Sequence, residues 1–244
     1  MVNQKGGVGK TTSAINIAAQ LAKQGKVLLL DLDPQGNATS GIGNPKDNKY
    51  STYDLLCEGV ELADIVQETH VAQLFLLPSN SNLAGAEVEL VNLKDREFAL
   101  KKGLSKAEYD FVIIDCPPSL GLLTINALTA ADKVLIPVQT EYYALEGLSQ
   151  LLNTIKAVKS STNPDLDILG IVLTMYDKRN SLSEQVHQEI KNYFGEKLFS
   201  TVIPRNVRLA EAPSFGQTIY EHDKWSKGAR SYKALSKEIA SLYK

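Results

Sequence analysis

The sequence predicts an α/β fold with a doubly wound, mostly parallel sheet. Strand-like segments alternate with segments of helical periodicity along the whole chain, which is the pattern of repeated strand–helix–strand units. The strand-like segments are continuous apolar runs, as expected for strands that are buried on both faces. The first helix also follows a glycine-rich loop, which is typical of the strand–helix turns in such sheets.

Helices are predicted where apolar residues recur every three or four positions, and strands where about four to eight apolar residues run together. Glycine, proline and polar clusters separate these segments. The predicted elements, in chain order, are a helix over 14–22 that Gly25 ends, a strand over 26–31, a polar, turn-rich region over 44–70, a strand over 74–77, a helical pattern over 83–104, a strand over 111–115, a helix over 121–131, a strand over 134–138, a helix over 144–158, a strand over 166–174, a helix over 182–194, a strand over 198–203, one short turn over 207–211 and a helix over 228–242.

The chain has 244 residues, of which 43% are hydrophobic and 22% charged, an ordinary globular composition. One domain spanning residues 1–244 is the simplest organisation for this length. The first strand is the exception to the regular pattern, because Met1-Val2-Asn3 is shorter than the about five residues of a typical strand. We therefore expect a first strand that is truncated or that begins upstream.

The loop NQKGGVGKTT, residues 3–12, predicts a phosphate-binding site. Its glycines allow successive backbone N–H groups to turn inward, and the following helix presents its positive N-terminus to the same anion. Lys10 can reach the β- and γ-phosphates of a nucleotide, and the Thr11 hydroxyl can bind Mg²⁺. A glycine-rich turn without a ligand is the less favoured alternative. The expected nucleotide contacts are Lys5, Gly6, Gly7, Val8, Gly9, Lys10, Thr11 and Thr12.

This loop departs from the common phosphate-loop pattern at its start. Gln4 occupies the position of the usual first glycine, and Lys5 adds a second cation. From the residues alone, a surface lysine beside a glycine loop explains Lys5 at least as well as a functional one.

Two strands end in carboxylates that suit a metal site. Asp115 closes the apolar run FVIID, where an acid can hold Mg²⁺ through its water shell. Asp31 and Asp33 alternate onto one face at the end of another strand, where one could orient an attacking water and the other support the metal. A strand-end aspartate that caps a turn is the alternative for each.

The charge distribution is asymmetric although the net charge is only −2. Residues 178–244 hold 12 Lys/Arg and 7 Asp/Glu, a net of +5, whereas residues 1–177 hold 14 and 21, a net of −7. The basic part could face an anionic partner, but from charge alone an ordinary solvated surface is the favoured interpretation.

Other features exclude several classes of protein. Cys57 and Cys116 are too few and too far apart for a metal cluster or a disulfide framework. No apolar run approaches the about 18–20 residues of a membrane-spanning helix. Trp225 is a lone aromatic residue, for which packing or local surface structure is expected.

Several motifs carry a resemblance to a known family. The segments KGGVGKTT, DLDPQGNAT and IIDCPPSLGLLTINAL are together similar to the deviant Walker A group of P-loop NTPases. The later segments PVQTEYYALEGLSQLLNTI, LTMYDKRN and TVIPRNVRLAEAPSFGQ resemble the ParA/Soj chromosome-partitioning branch. The similarity covers nearly the whole chain and implies the P-loop NTPase fold with ATP and Mg²⁺ as ligands.

The resemblance gives roles to the loop residues and the acids. In this family two subunits enclose two ATP molecules, and a signature lysine, here Lys5, reaches the phosphates in the partner subunit. Lys10 and Asp33 are the other expected catalytic residues, with Asp33 positioning the water. Thr11, Asp31 and Asp115 are the expected metal-site residues.

The resemblance also implies adenine and DNA contacts. The segments 174–177 and 204–207 match those that frame the adenine, with Met175, Pro204 and Asn206 as contacts. Arg179 and Arg208 match positions implicated in non-specific DNA binding, which would explain the basic half of the chain. Lys224, Lys227, Arg230, Lys233 and Lys237 would extend that surface.

The expected function is therefore ATP-dependent DNA segregation by a slow, Mg²⁺-dependent ATPase. An ATP-driven homodimer would bind DNA, and a ParB-type centromere-binding protein would stimulate hydrolysis. The expected location is the cytoplasm, on the nucleoid, and the resemblance also allows a role in replication initiation. The alternative is a MinD-like membrane switch that controls division-site placement. That alternative would use the apolar residues Tyr232, Leu235, Ile239 and Leu242 of the last helix, for which docking on the domain is favoured, so no membrane association is expected.

Overall fold

The computed structural model describes residues 1–141 and 144–243, with the side chains of 144–146 left out of the description. The strands are β1 Val27–Asp31, β2 Gln67–Glu68, β3 Leu74–Leu77, β4 Phe111–Asp115, β5 Lys133–Gln139 and β6 Asp167–Thr174. The helices are α1 Lys10–Leu21, α2 Asn37–Gly41, α3 Leu62–Ile65, α4 Leu83–Glu89, α5 Ala99–Gly103, α6 Leu122–Ala130, α7 Ala144–Ser161, α8 Ser181–Phe194, α9 Val207–Glu211, α10 Ile219–Asp223 and α11 Lys227–Ser241. A π-helical turn, Asp54–Glu58, and 3₁₀ turns at Leu90–Asn92, Arg96–Phe98, Gly195–Lys197 and Ala212–Phe215 lie between them.

The strands form two hydrogen-bonded groups, in the orders β2-β3-β1-β4 and β5-β6. All pairs are parallel except β2 with β3. The register of β1 and β4 sets Asp31 opposite Asp115 at their carboxyl ends. The predicted α/β class and mostly parallel sheet are confirmed, and ligands bind at this edge in such sheets.

The first residues of the chain lie between the two strand groups. The Val2 N–H donates to the carbonyl of Leu135 in β5 (3.2 Å), and the Cys116 N–H donates to the Met1 carbonyl (3.2 Å). The Asn3 amide also donates to the Pro137 carbonyl (2.8 Å). The phosphate-loop segment therefore starts in the gap between β4 and β5, at the same edge as the acids.

Helices cover both faces of the sheet. Strand alternation sends Leu28 and Leu30 to a core shared with α6 and α7, and sends Val27 and Leu29 to a core shared with α1 and α11. Burial on both faces explains why the strands read as continuous apolar runs.

The helical pattern predicted over 83–104 is wrong as one helix. The chain breaks at Asp95, which has a left-handed φ of 57°, so that α4 and α5 are separate. Asn126 of α6 satisfies the interrupted backbone: its amide donates to the Arg96 carbonyl (2.9 Å) and its oxygen accepts from the Leu100 N–H (3.0 Å).

The strand predicted over 198–203 is also wrong. This segment follows β6 only through an isolated bridge between Ile171 and Leu198 and single hydrogen bonds from the Phe199 and Ile203 N–H groups. Between these points the Ser200 N–H donates to Glu238 of α11 (3.1 Å) instead of to the sheet. The Glu238 carboxylate thus takes a hydrogen bond that a regular strand would make to β6.

Helix α11 docks on the domain, as the sequence analysis favours. Tyr232, Leu235 and Ile239 are buried, and the Tyr232 hydroxyl lies 2.9 Å from the Ser13 hydroxyl of α1. Leu242 is exposed.

Within the described part of the chain, no helix combines the length and the apolar character that crossing a bilayer requires.

The backbones of Gly43 and Gly216 pass so close to each other that a side chain at either position should destabilise the fold strongly. A Cβ at Gly216 would lie 2.6 Å from the Gly43 Cα, and Gly216 has a φ of +62°. We expect Gly216→Ala to lower the free energy of unfolding by about 3 kcal/mol, from strain and overpacking together. Gly59→Ala is the matched control, because its φ is +71° in the same left-handed region with nothing within 4 Å, and should cost about 1 kcal/mol. Urea unfolding measures both, and equal losses would contradict the steric argument.

Candidate functional site

The loop before α1 is shaped to hold an anion. Gly7 and Gly9 have left-handed φ values of 74° and 85°, which favour glycine over residues with a side chain. Gly9 caps α1, and the Ser13 N–H donates to its carbonyl (2.9 Å). The earlier N–H groups of the first turn have no partner within the helix. Together with the helix dipole they attract negative charge.

Lys10 lies inside this loop. Its side chain is buried, and its Nζ donates to the Lys5 carbonyl (2.9 Å). Burial lowers the pKa of the Lys10 ammonium, and the nearby Asp115 carboxylate opposes that shift. The loop thus places a cation beside an acid.

Asp31 and Asp115 are both buried and side by side. Burial raises the pKa of Asp31 to about 6, opposed by hydrogen bonds from Thr39. Burial and the Asp31 charge raise the pKa of Asp115, whereas the Thr11 side chain and Lys10 act in the opposite direction.

The two carboxylates differ in their partners. Asp31 Oδ2 accepts from the Thr39 N–H and hydroxyl, both at 2.8 Å, and its Oδ1 accepts from the Asp33 N–H (3.2 Å). Neither oxygen of Asp115 has a partner in hydrogen-bond geometry, although both are buried; the Thr11 side chain lies near enough to hold the Asp115 pKa down but does not meet that geometry. Such a carboxylate is costly unless another group completes it. Asp31 thus holds α2 and the Asp33 turn, whereas both oxygens of Asp115 are left unpaired.

Asp33 is held in a tight turn near the site. Its Oδ1 accepts from the Gln35 N–H (2.9 Å), and its carbonyl accepts from the Ser79 hydroxyl (2.8 Å) and the Gly36 N–H (2.9 Å). These bonds fix the orientation of the carboxylate.

The two segments expected to frame the adenine are brought together. Tyr176 and Pro204 form a bridge, and Met175 adopts a left-handed φ of 50°, an uncommon conformation that often marks functional positions. The Asn206 Oδ1 is buried without a partner. The Thr174 hydroxyl donates to the Val8 carbonyl (2.8 Å) and joins this region to the loop.

The Lys5 side chain points away from its own phosphate loop, toward Glu141. Its N–H donates to the Asn3 side chain (3.0 Å), and its Nζ pairs with Glu141 just after β5. The Lys5 side chain is 41% exposed. Tyr142 and Tyr143, which follow in the same motif, lie outside the described residues.

Arg179 and Arg208 are exposed and paired with acids of their own segments. Arg179 makes two hydrogen bonds to Asp177 (3.2 and 3.1 Å). Arg208 pairs with Glu211 (2.9 Å) and, more distantly, with Asp223 (3.7 Å). No described contact joins the two arginines.

A family model described as "AAA domain" matches residues 1–168. The chain is 56% identical over 245 residues to the sporulation initiation inhibitor protein Soj of Bacillus subtilis (strain 168), covering 99% of this chain and 97% of that protein. It is 54% identical to the chromosome partitioning protein ParA of Myxococcus xanthus (strain DK1622), covering 97% and 85%. The chain belongs to the ParA/Soj family of chromosome-partitioning ATPases.

A solved structure with ligands has the same fold as this ParA/Soj chain. It is cobyrinic acid a,c-diamide synthase from Mycobacterium smegmatis with a bound ATP analog and magnesium. The two share 39% identity with a TM-score of 0.86, covering 99% of this chain and 93% of that one. The predicted P-loop NTPase class is thereby confirmed.

The residues present in this ParA/Soj chain fit a magnesium ion. Mg²⁺ takes oxygen ligands and usually keeps several waters, binding through one or two carboxylates and the phosphates of a nucleotide. Asp115 offers two buried oxygens without partners, and Thr11 lies in the first turn of α1.

Sequence reasoning does not predict the contacts that Thr39, Thr174 and Glu141 make at the site, although Thr174 lies in the segment 174–177 expected to frame the adenine. Thr39 lies within the DLDPQGNAT motif, so a closer examination of that motif could have found it. Thr174 and Glu141 act on loop residues more than 130 positions away in the chain (166 and 136), and nothing local in the sequence signals such contacts.

Asp115→Asn should stabilise the magnesium-free protein while abolishing hydrolysis. At pH 7.5 it removes a buried charge without hydrogen bonds, a gain of about 1–2 kcal/mol. Since the folded-state pKa of Asp115 is raised, the native protein takes up a proton as pH falls, and the gain should shrink toward pH 5. Urea unfolding in EDTA at both values measures this. An equal destabilisation at both pH values would contradict the account of Asp115.

Proposed function

We propose that this chain forms an ATP-bound dimer that binds DNA without sequence specificity. ATP hydrolysis, stimulated by a partner protein, then returns the dimer to its starting state. The observation that carries the proposal is the buried, unpartnered Asp115 carboxylate beside Lys10, at the mouth of an intact phosphate loop. ParA/Soj membership supplies the biological setting, chromosome partitioning.

In the proposed mechanism, the loop amides and Lys10 bind the β- and γ-phosphates of ATP. Magnesium, when bound, would neutralise charge on the phosphates. Thr11 and Asp115 would hold it, and Asp31 keeps the neighbouring turn in place through Thr39. Asp33 orients the attacking water, and its bond from Gln35 fixes that orientation without using Oδ2.

The base-binding segments favour adenine. The unpartnered Asn206 Oδ1 is an acceptor, and adenine carries an exocyclic amino donor where guanine carries a carbonyl. Pro204 and Met175 lie beside it through the Tyr176–Pro204 bridge. A buried acceptor left unpaired would disfavour GTP.

Lys5 is proposed to act in the partner subunit. Its ammonium pairs with Glu141 and with no described side chain of its own loop, and the side chain is partly exposed at the edge of the site. A cation that enters from a second chain would neutralise developing charge, as an arginine finger does in trans. ATP would then complete its site only when two chains meet.

The DNA-binding surface is proposed to centre on Arg179 and Arg208. Exposed cations on one face of α11, namely Lys227, Arg230, Lys233 and Lys237, lie opposite its buried residues. Dimerisation would double this surface, which raises affinity without any change inside a subunit. The partner that stimulates hydrolysis would be a ParB-type centromere-binding protein, and the complex would act on the nucleoid.

Lys5→Ala should retain ATP binding by the monomer but lose the ATP-dependent dimer and, with it, DNA binding. Sedimentation velocity with ATP, ADP or no nucleotide, with and without DNA, measures each step. Lys106→Ala is the control, since Lys106 makes only an exposed pair with Glu61. A Lys5 variant that dimerises as the wild type does would remove the role in trans.

Asp33→Asn should block turnover and accumulate ATP-bound dimers. The amide oxygen can still accept from the Gln35 N–H, so the turn and the stability should be kept, while phosphate release falls about 100-fold or more. Asp33→Ala should show the same loss with an added cost in stability. Undiminished phosphate release by the Asn variant would assign the water to another residue.

A further inference from the structure

Three large apolar side chains are exposed in the segment 207–225, which leads into the C-terminal helix. Trp225 is 78% exposed, Val207 70% and Phe215 66%. Trp225 is the single tryptophan of the chain, and of the two roles expected for it from sequence, packing and local surface structure, its exposure leaves the surface one. A tryptophan left this open forgoes a large gain from burial, which calls for an explanation.

Polar contacts connect the Trp225 backbone to the Phe215 ring through Arg208. The backbone N–H of Trp225 donates to Asp223 (3.1 Å), and Asp223 lies 3.7 Å from Arg208. On the other side Arg208 pairs with Glu211, which His222 also contacts (3.3 Å). The His222 ring stacks on Phe215, with centroids 5.2 Å apart and an interplanar angle of 26°. The side chains Arg208, Phe215, His222, Lys224 and Trp225 define an aromatic–basic patch.

The patch carries an excess of positive charge and continues onto α11. The Lys224 ammonium lies 5.3 Å from the Trp225 ring centroid. The exposed cations from 205 to 237 are Arg205, Arg208, Lys224, Lys227, Arg230, Lys233 and Lys237, and the acids in that range are Glu211, Glu221 and Asp223. From Lys227 to Lys237 the cations extend about 15 Å along the helix, the length over which one strand of a duplex presents about four phosphates.

We propose that Trp225 and Phe215 contact duplex DNA directly, packing against bases and sugars while the surrounding cations bind phosphates. This inference rests on the DNA binding proposed above and deepens it. In a duplex the base faces are covered by the neighbouring base pairs, so the rings would reach them from the minor groove by entering between base steps. This contact tolerates any sequence, because every base has a π-face. A line of cations along one helix matches a phosphate backbone. A lipid surface is less well matched, because the apolar face of α11 is buried in the domain.

The aromatic contact should differ from the ionic contacts in its response to salt. Each phosphate contact contributes to the slope of the logarithm of affinity against the logarithm of salt concentration. A stacked ring contributes affinity without releasing counterions. DNA binding should therefore keep a salt-resistant component that depends on Trp225.

The single tryptophan allows a direct measurement on the whole chain with ATP and Mg²⁺. Adding a short DNA duplex should quench Trp225 emission. Heparin, a polyanion without bases, should compete for the cations but leave the emission nearly unchanged. Equal quenching by heparin, or no change with DNA where bound DNA is detected by anisotropy, would overturn the proposal. A blue shift of the Trp225 emission on adding phosphatidylglycerol vesicles, without any response to DNA, would overturn it as well.

Variants provide an independent test by anisotropy of labelled duplex over a series of salt concentrations. Trp225→Ala should weaken DNA binding about tenfold with an unchanged salt slope, and Trp225→Phe should recover most of it. Lys224→Ala should reduce the slope by up to about one. Tyr193→Ala is the matched control, since Tyr193 is an equally exposed aromatic (76%) on α8, and it should bind as the wild type does.

The outcomes separate this inference from the proposed function. A wild-type protein that dimerises with ATP but binds no DNA would overturn both. If the wild type binds DNA and Trp225→Ala binds it equally well, only the aromatic contact is overturned. The same holds if Trp225→Ala loses affinity together with a smaller salt slope, since that would indicate a lost phosphate contact. Sedimentation with ATP checks that each variant still dimerises.

Discussion

The structure depends on a pair of carboxylates at the ends of two adjacent strands. Parallel register sets Asp31 against Asp115 in a buried position, where two like charges cannot both be left without compensation. The fold compensates them differently. Thr39 and the Asp33 backbone occupy the oxygens of Asp31, whereas the oxygens of Asp115 remain without partners. The phosphate loop is built around the unsatisfied one.

This arrangement ties the parts of the site to one another. Thr39 belongs to α2, so the acid that it binds also fixes the turn that carries Asp33. Thr174 binds the Val8 carbonyl and so attaches the base-binding segment to the phosphate loop. Buried hydrogen bonds therefore link the phosphate loop to the segment proposed to bind the base, and Asp31 to the turn that carries Asp33.

The sequence predicts what is encoded locally and fails where a distant group decides. Apolar runs predict all the strands of the central sheet except the two-residue β2, because burial on both faces leaves a clear signal. The helix expected over 83–104 breaks because Asn126, on another helix, satisfies the backbone at the break. The strand expected over 198–203 is lost to Glu238. At the site, glycines and strand-end acids identify the loop and the metal region, but they do not reveal that Asp31 is occupied and Asp115 free. That difference depends on Thr39.

The contact between Gly43 and Gly216 has a mechanical consequence. Two bare backbones touch there, so no flexible side chain can absorb a displacement of either one. Gly43 lies just beyond α2, which is anchored to Asp31, and Gly216 immediately follows Phe215. A displacement of the Gly43 backbone would therefore have to be accommodated by the Gly216 backbone, next to the exposed Phe215 ring.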